Sequence, residues 1–439
     1  MWEVIGIVAF FLMILGSIAL HEIGHLVPAK KFGVKVTEYM VGFGPTVWSR
    51  KRGETTYGIK AVPVGGYIRM IGMLPPPKGA PAGTAGRMST GRMATLVEDA
   101  RRQSLEEIAP GDENRVFYKL PVHRRVIIML GGPFMNLLIA VVLFSAVLVG
   151  IGVPQPTLQV SSVVPCTPSV SLPTGAASAN GTCATSPSPA ARAGLTAGDT
   201  IIAVNGQAPG SWEEMTAGIR ASGAGSADVT VQRADGTTVV LPVEIVEVTR
   251  PAYDEAGNPT GGTQTSGFIG VRPEVAYVPQ PWTSVPVQMW DMTARSVVAL
   301  VSLPVRLYEL VTDTLIGGGD RQVDSPVSVV GVSRLGGDVV ASGEPVQAKI
   351  AMFLGLAASL NLFLFLFNLI PILPLDGGHV AGALYEGARR QVARWRGKPD
   401  PGPADVARLL PVAYAVAAVL VAMGAIVIFA DLVKPITLG

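Results

Sequence analysis

The sequence predicts a multi-span α-helical membrane protein of about four transmembrane helices, carrying a membrane-associated β-hairpin and an inserted extracytoplasmic α/β domain. Three observations carry that expectation. Of the 439 residues, 49% are apolar and only 15% are charged, against about a quarter charged in ordinary soluble proteins, and the mean hydropathy is +0.43. Four apolar runs are long enough, at roughly 20 residues, to cross a bilayer. The basic residues are spread unevenly: 27–125 holds 17 Lys and Arg against 8 Asp and Glu, 385–409 holds 6 against 3, and 151–348 holds 9 against 17. Cytoplasmic loops retain Lys and Arg, so the first two regions read as inside and the third as outside. Four crossings then leave both termini outside. The near-neutral total of +2 gives no reason to expect a nucleic-acid partner.

The first span, 1–27, ends in IALHEIGH, where two histidines and a glutamate replace apolar residues. Ionisable groups in a membrane-length segment are costly and mark function. A signal peptide is the alternative for this run, but no basic region precedes it and no small-residue cleavage pattern precedes His21. His21 and His25 are four residues apart, so on a helix they share a face and reach one metal ion. Glu22 beside them is placed to take a proton from water. The competing account is a helix end capped by polar groups at the membrane surface. Catalytic zinc takes three protein ligands and keeps one position for water, so a third ligand is needed.

The remaining elements follow in chain order. Residues 28–125 form an inside loop, in which 55–70 alternates polar and apolar residues around a glycine turn and reads as a hairpin. Residues 75–93 have the composition of a flexible linker. The second span, 126–153, carries Asn136 and follows His123, which reads as an interfacial residue in a basic flank. Residues 155–275 read as short strands and turns outside, and both cysteines, Cys166 and Cys183, lie there. They either pair or remain free thiols. In 282–348 apolar residues recur at helical spacing with Trp282 and Trp290 at one end, which suits an amphipathic juxtamembrane helix. A fifth crossing there would bury Arg295 and Arg306 and put Asp376 on the wrong side. The third span, 349–379, ends in NLIPILPLDGGH, whose prolines and glycines break the helix. Asp376 and His379 both remain candidates for the third ligand on chemistry alone. Residues 380–409 return as an inside loop and 410–433 form the last span.

Together, HEIGHLVPAKKFGVKVTEYMVGFGP, AVPVGGYIRMIG, GGPFMN and NLIPILPLDGGH look like the site-2 protease family of intramembrane metalloproteases. They most resemble its bacterial PDZ-containing branch, the regulator-of-sigma-E protease type. The resemblance implies that His21, His25 and Asp376 bind Zn²⁺, that Glu22 is the general base, and that His379 is a neighbour of the site. It also implies substrate contact by Asn136 and Asn368, for which the alternative is a bond to a neighbouring helix, and by Gly65 and Gly66 in a hairpin that dips into the membrane. Residues 187–207 resemble a PDZ domain with Gly194, Leu195 and Gly198 at the peptide groove; a plain spacer is the alternative. The implied activity is cleavage of single-pass membrane proteins, such as anti-sigma factors already trimmed outside, and leftover signal peptides, in the lipid of a bacterial inner membrane. A catalytically dead scaffold displaying a PDZ domain and a metal transporter are the rivals. The intact Glu22 argues against the first, and the scarcity of ionisable residues in the spans against the second. Spans one and three both run inward, so His21, His25 and Asp376 fall at one depth near the cytoplasmic side.

Overall fold

The computed structural model describes residues 1–76, 92–167, 183, 186–253, 259–322 and 325–436. Most of the expected linker at 75–93 lies outside them. The chain divides into two compact units, Met1–Gly150 with Pro281–Gly439, and Ile151–Gln280.

The first unit is built on helices, because its apolar runs satisfy their own backbone groups only by coiling. Helix α1 spans Trp2–Lys31. Strands β1, Val36–Arg52, and β2, Thr55–Met70, follow and pair antiparallel. Helix α2 covers Arg92–Glu106, and α3 covers Val122–Ser145, extended by a π-helical stretch over Ala146–Ile151. Among the described residues, four helices are long and apolar enough to cross a membrane: Trp2–Lys31, Val122–Ile151, Val346–Asn368 and Val406–Val433.

Residues 55–70 do not pair with themselves, contrary to the hairpin expected there. Arg52↔Thr55 through Thr46↔Lys60 form one ladder, and Val36↔Met70 through Val41↔Gly66 form another. Tyr39 thus has partners in both halves of β2, Tyr57 and Ile68, so the sequence alternation belongs to one long strand that wraps both sides of β1. Tyr39 also donates its hydroxyl to the Ala19 carbonyl of α1 at 2.8 Å, which pins this sheet to the first span.

The second unit opens with β3, Val153–Val163, and α4, Pro189–Ala193. Then come β4, Thr200–Val204, α5, Trp212–Ala221, and β5, Gly225–Gln232. Strands β6, Thr238–Tyr253, β7, Pro259–Phe268, and β8, Val271–Val278, complete an antiparallel sheet of order β7-β6-β5-β4-β3-β8. Alternation in β5 puts Ala227, Val229 and Val231 inward against Val160, Ile201, Val243 and, from α5, Met215 and Ile219. Cys166 and Cys183 form a disulfide.

Back in the first unit, 282–348 contains more than one amphipathic helix. Helix α6, Ser284–Glu309, continues as a π-helix over Leu310–Ile316, and a second helix, α7, spans Val329–Ala341. Gly336 and Gly337 bring α7 so close to α1 that an added Cβ would lie 2.8 Å from Phe10 and 2.6 Å from Ile7. Helix α8 spans Val346–Asn368, α9 spans Asp376–Trp395 and α10 spans Leu410–Val433. The expected third span at 349–379 is therefore two elements. Pro371 and Pro374 have no amide hydrogen to continue α8, so the chain turns and Asp376 opens a new helix. That helix fills half of the expected loop at 380–409. A buried Arg125–Glu386 ion pair at 2.5 Å ties the start of α3 to α9, and Glu386 also accepts from the Ala404 amide at 2.9 Å.

Candidate metal centre

Helix α1 presents His21 and His25 one turn apart, and the first residue of α9 brings Asp376 against them. His25 Nε2 lies 3.2 Å from His21 Nε2, and Asp376 Oδ2 lies 3.3 Å from each. An ion held tetrahedrally at about 2.0–2.1 Å needs ligand atoms about 3.3 Å apart. The three observed edges form one face of such a tetrahedron, so the donor set and its spacing fit a zinc ion with a fourth position open. Among the described residues this is the group of His, Cys, Asp and Glu positioned to share an ion. His379 lies three residues beyond Asp376 on α9 and does not join the triangle, and neither does His123 at the start of α3.

The ring of His25 is oriented from outside the triangle, because its Nδ1 contacts the Ile128 carbonyl of α3 at 2.7 Å. Such a partner fixes the tautomer and leaves Nε2 free for a metal. Helix α3 approaches closely because residues 131 and 132 are glycines. A Cβ on Gly131 would lie 2.0 Å from the Gly24 carbonyl oxygen, and one on Gly132 would lie 2.2 Å from His25 Nε2 and 2.6 Å from His21 Nε2. The GGPFMN motif signalled this contact, yet sequence reasoning drew only Asn136 from it.

Glu22 is 8% exposed and follows His21 directly. From the sheet, Gly66 abuts its side chain, since a Cβ there would come within 2.9 Å of Glu22 Cγ. Gly65 stands beside Phe43 with φ +131, a conformation that favours glycine. The sheet's Gly66 strand therefore borders the acid that sequence reasoning made the base. Asn368 ends α8, half-buried. Asn136 is 2% exposed, buried among the helices.

In the second unit, the turn expected to hold a peptide carboxylate is already occupied. The amides of Gly194, Leu195, Thr196 and Gly198 donate to Ala191 O, Ala190 O, Asp199 Oδ2 and Val160 O, and the Leu195 side chain belongs to the core. With its donors spent, this turn corrects the groove assignment of Gly194, Leu195 and Gly198. A cleft of about 160 Å³ lies instead between Trp212, Met215 and Ile219 of α5 and residues 267–273, at the start of β8. Among the described residues strand β8 pairs only with β3, at the edge of the sheet.

Residues 9–398 match peptidase family M50. The chain is 37% identical over 442 residues to the zinc metalloprotease Rip1 of Mycobacterium tuberculosis, with 100% of both chains covered. It is 35% identical over 446 residues to Rip1 of Mycolicibacterium smegmatis, covering 99% of this chain and 98% of that one. To the zinc metalloprotease RasP of Oceanobacillus iheyensis it is 25% identical over 423 residues, covering 85% and 88%.

Proposed function

The chain belongs to peptidase family M50 and is a membrane zinc metalloprotease, and from that premise we propose that it cuts single-pass membrane proteins within or beside their spanning helix. The observation that carries this reading is the triangle of His21, His25 and Asp376 next to Glu22, at the end of a helix long enough to span the bilayer.

His21 Nε2, His25 Nε2 and Asp376 Oδ2 would hold the zinc. When bound, the ion polarises a carbonyl and acidifies water, so that hydrolysis proceeds near neutral pH. Glu22 takes the proton from the attacking water on a carboxylate oxygen and delivers it to the departing amide nitrogen as the C–N bond breaks. A transmembrane helix hides its carbonyls in its own hydrogen bonds, so a substrate must be drawn out before attack. The strand at Gly65 and Gly66, bordering Glu22, holds an unwound segment by strand addition, and Asn368 contacts it from the end of α8.

The second unit acts as a PDZ domain outside the membrane, and the cleft between α5 and the edge strand β8 supports capture of an extended peptide there. Substrates of this kind are anti-sigma factors first trimmed outside and leftover signal peptides. The charge distribution supports a cytoplasmic 85 and 398 and an outside 235. Reporter fusions at those three positions check that orientation, and an outside signal at 85 overturns it.

The decisive variant is Glu22→Gln. It keeps every metal ligand and is expected to lose about 10²-fold or more in cleavage of a reconstituted single-pass substrate, with zinc content unchanged. Turnover above a few per cent of the parent's rejects Glu22 as the base.

A further inference from the structure

Three buried polar atoms on three helices have no hydrogen-bond partner among the described residues: His21 Nδ1 on α1, Asn136 Oδ1 on α3 and Asn361 Oδ1 on α8. Asn361 is fully buried. Unpaired polar atoms are unfavourable in an apolar interior, and in a membrane span they mark function.

The helix register brings the three together. Along α1 and α3 the contacts pair falling with rising numbers: Gly24 with Gly131, His21 with Gly132, then Phe10 and Ile14 in one cluster with Leu143. One turn on from Gly132, Asn136 therefore faces the Ser17–His21 turn of α1. Asn361 reaches the same level, because its Nδ2 donates to Ser17 Oγ at 3.1 Å and to Ala357 O at 2.9 Å. Those two bonds settle which amide atom is the nitrogen and leave the oxygen unused. A Cβ on Gly132 would lie 2.6 Å from His21 Nε2 and 2.7 Å from its Cε1, so the His21 ring lies against α3 one turn before Asn136. Side chains lean toward the N-terminus of their helix, which tips Asn136 back toward that ring.

We propose that one buried water joins these three atoms. It accepts from His21 Nδ1–H and donates one hydrogen to Asn136 Oδ1 and the other to Asn361 Oδ1. The count closes, since the protein leaves one donor and two acceptors, and a buried water ordinarily makes about three such bonds. The water holds His21 as the Nδ1–H tautomer with Nε2 turned to the metal, as the Ile128 carbonyl does for His25. Asn136 and Asn361 are thus positioning residues for a metal ligand, and this inference rests on His21 being one.

The test is zinc retention by the full chain in lipid nanodiscs, titrated with a chelator. Asn136→Leu and Asn361→Leu are each expected to weaken zinc binding by about tenfold, the usual effect of losing an outer partner of a metal-bound histidine. The double variant is expected to lose no more than the weaker single, because either change removes the same water. Asn136→Asp keeps an acceptor oxygen and is expected to hold zinc within about threefold of the parent. Cobalt(II) substituted for zinc should show altered visible absorption in the leucine variants alone, which a packing defect remote from the metal does not produce. Unchanged retention in both leucine variants overturns the proposal, and so do losses that multiply in the double. If the leucine variants fail to fold, Asn136→Asp and Asn361→Asp decide: parent-like retention supports the water, and a tenfold loss in either overturns it. His21→Ala separates the two levels. If it retains zinc like the parent, the metal-centre reading has failed; if it loses zinc while the asparagine variants do not, only this inference has.

Discussion

The two units of the molecule bury polar groups for different ends. In Ile151–Gln280, buried Ser188 accepts from the Ala191 amide at 3.2 Å, and buried Asp199 accepts from the Thr196 amide at 2.8 Å and from Arg233 at 2.6 Å. Each closes a turn three residues away, Asp199 also tying that turn to Arg233, and the work of both ends in holding shape. In the helical unit, Glu22 and His25 of α1 and Asn136 of α3 are buried, and His25 meets Asp376 of α9 and the Ile128 carbonyl of α3. A polar group satisfied within its own turn reports on the fold. A cluster of ligand-type side chains drawn from two helices, as at His21, His25 and Asp376, reports on chemistry.

The sharpest way to break this contrast is Gly132→Ala. The added methyl would meet the ring ends of both His25 and His21, which could move aside only by leaving their positions against Asp376. Overpacking alone is unfavourable by about 1–3 kcal/mol, and here it falls on the ligands, so zinc is expected to be lost while the sheet unit keeps its fold. Metal analysis beside circular dichroism checks this. A parent-like zinc content would mean that α1 and α3 separate freely, against the close contact of Gly24 and Gly131.

A smaller effect separates ligand from neighbour on α9. If Asp376 is the third ligand as proposed, Asp376→Asn is expected to weaken zinc at least about tenfold, whereas His379→Ala should leave retention near the parent's. The reverse pattern in a chelator titration would transfer the third position to His379.

The smallest effect on the metal centre should come from the other unit. Changing Cys166 and Cys183 together to serine removes a cross-link between residues 17 apart. It is expected to destabilise Ile151–Gln280 by about 3 kcal/mol on the chain-entropy account, with zinc retention unchanged. Calorimetry of the full chain should show only one transition lowered. A simultaneous loss of zinc would show that the two units do not fold independently.

The spans were legible because apolar length is a local property, and the HEIGH pair because a helix places residues four apart on one face. Asp376 was not selected over His379 by chemistry; the family resemblance selected it, and the triangle of ligand atoms agrees. The hairpin at 55–70 was misread for a definite reason. Strand alternation reveals that a segment is extended but not which strand lies beside it, and here the partner was β1, upstream. The groove at Gly194, Leu195 and Gly198 failed likewise, because glycine in a turn indicates backbone shape and leaves open whether the amides still have protons to offer.

The sequence by itself determined that this chain enters a membrane, that its first span carries two histidines one turn apart with a carboxylate between, and that the two cysteines fall in one sheet-rich segment. Periodicity, hydropathy and spacing are enough for these, since each depends on residues within a few turns of one another. Only the tertiary structure decided that two glycines of α3 admit the histidine rings, that Asp376 meets both rings, and that Asn361 reaches Ser17. Those facts depend on the distance between helices 100 residues or more apart in the chain, and no local pattern encodes such a distance.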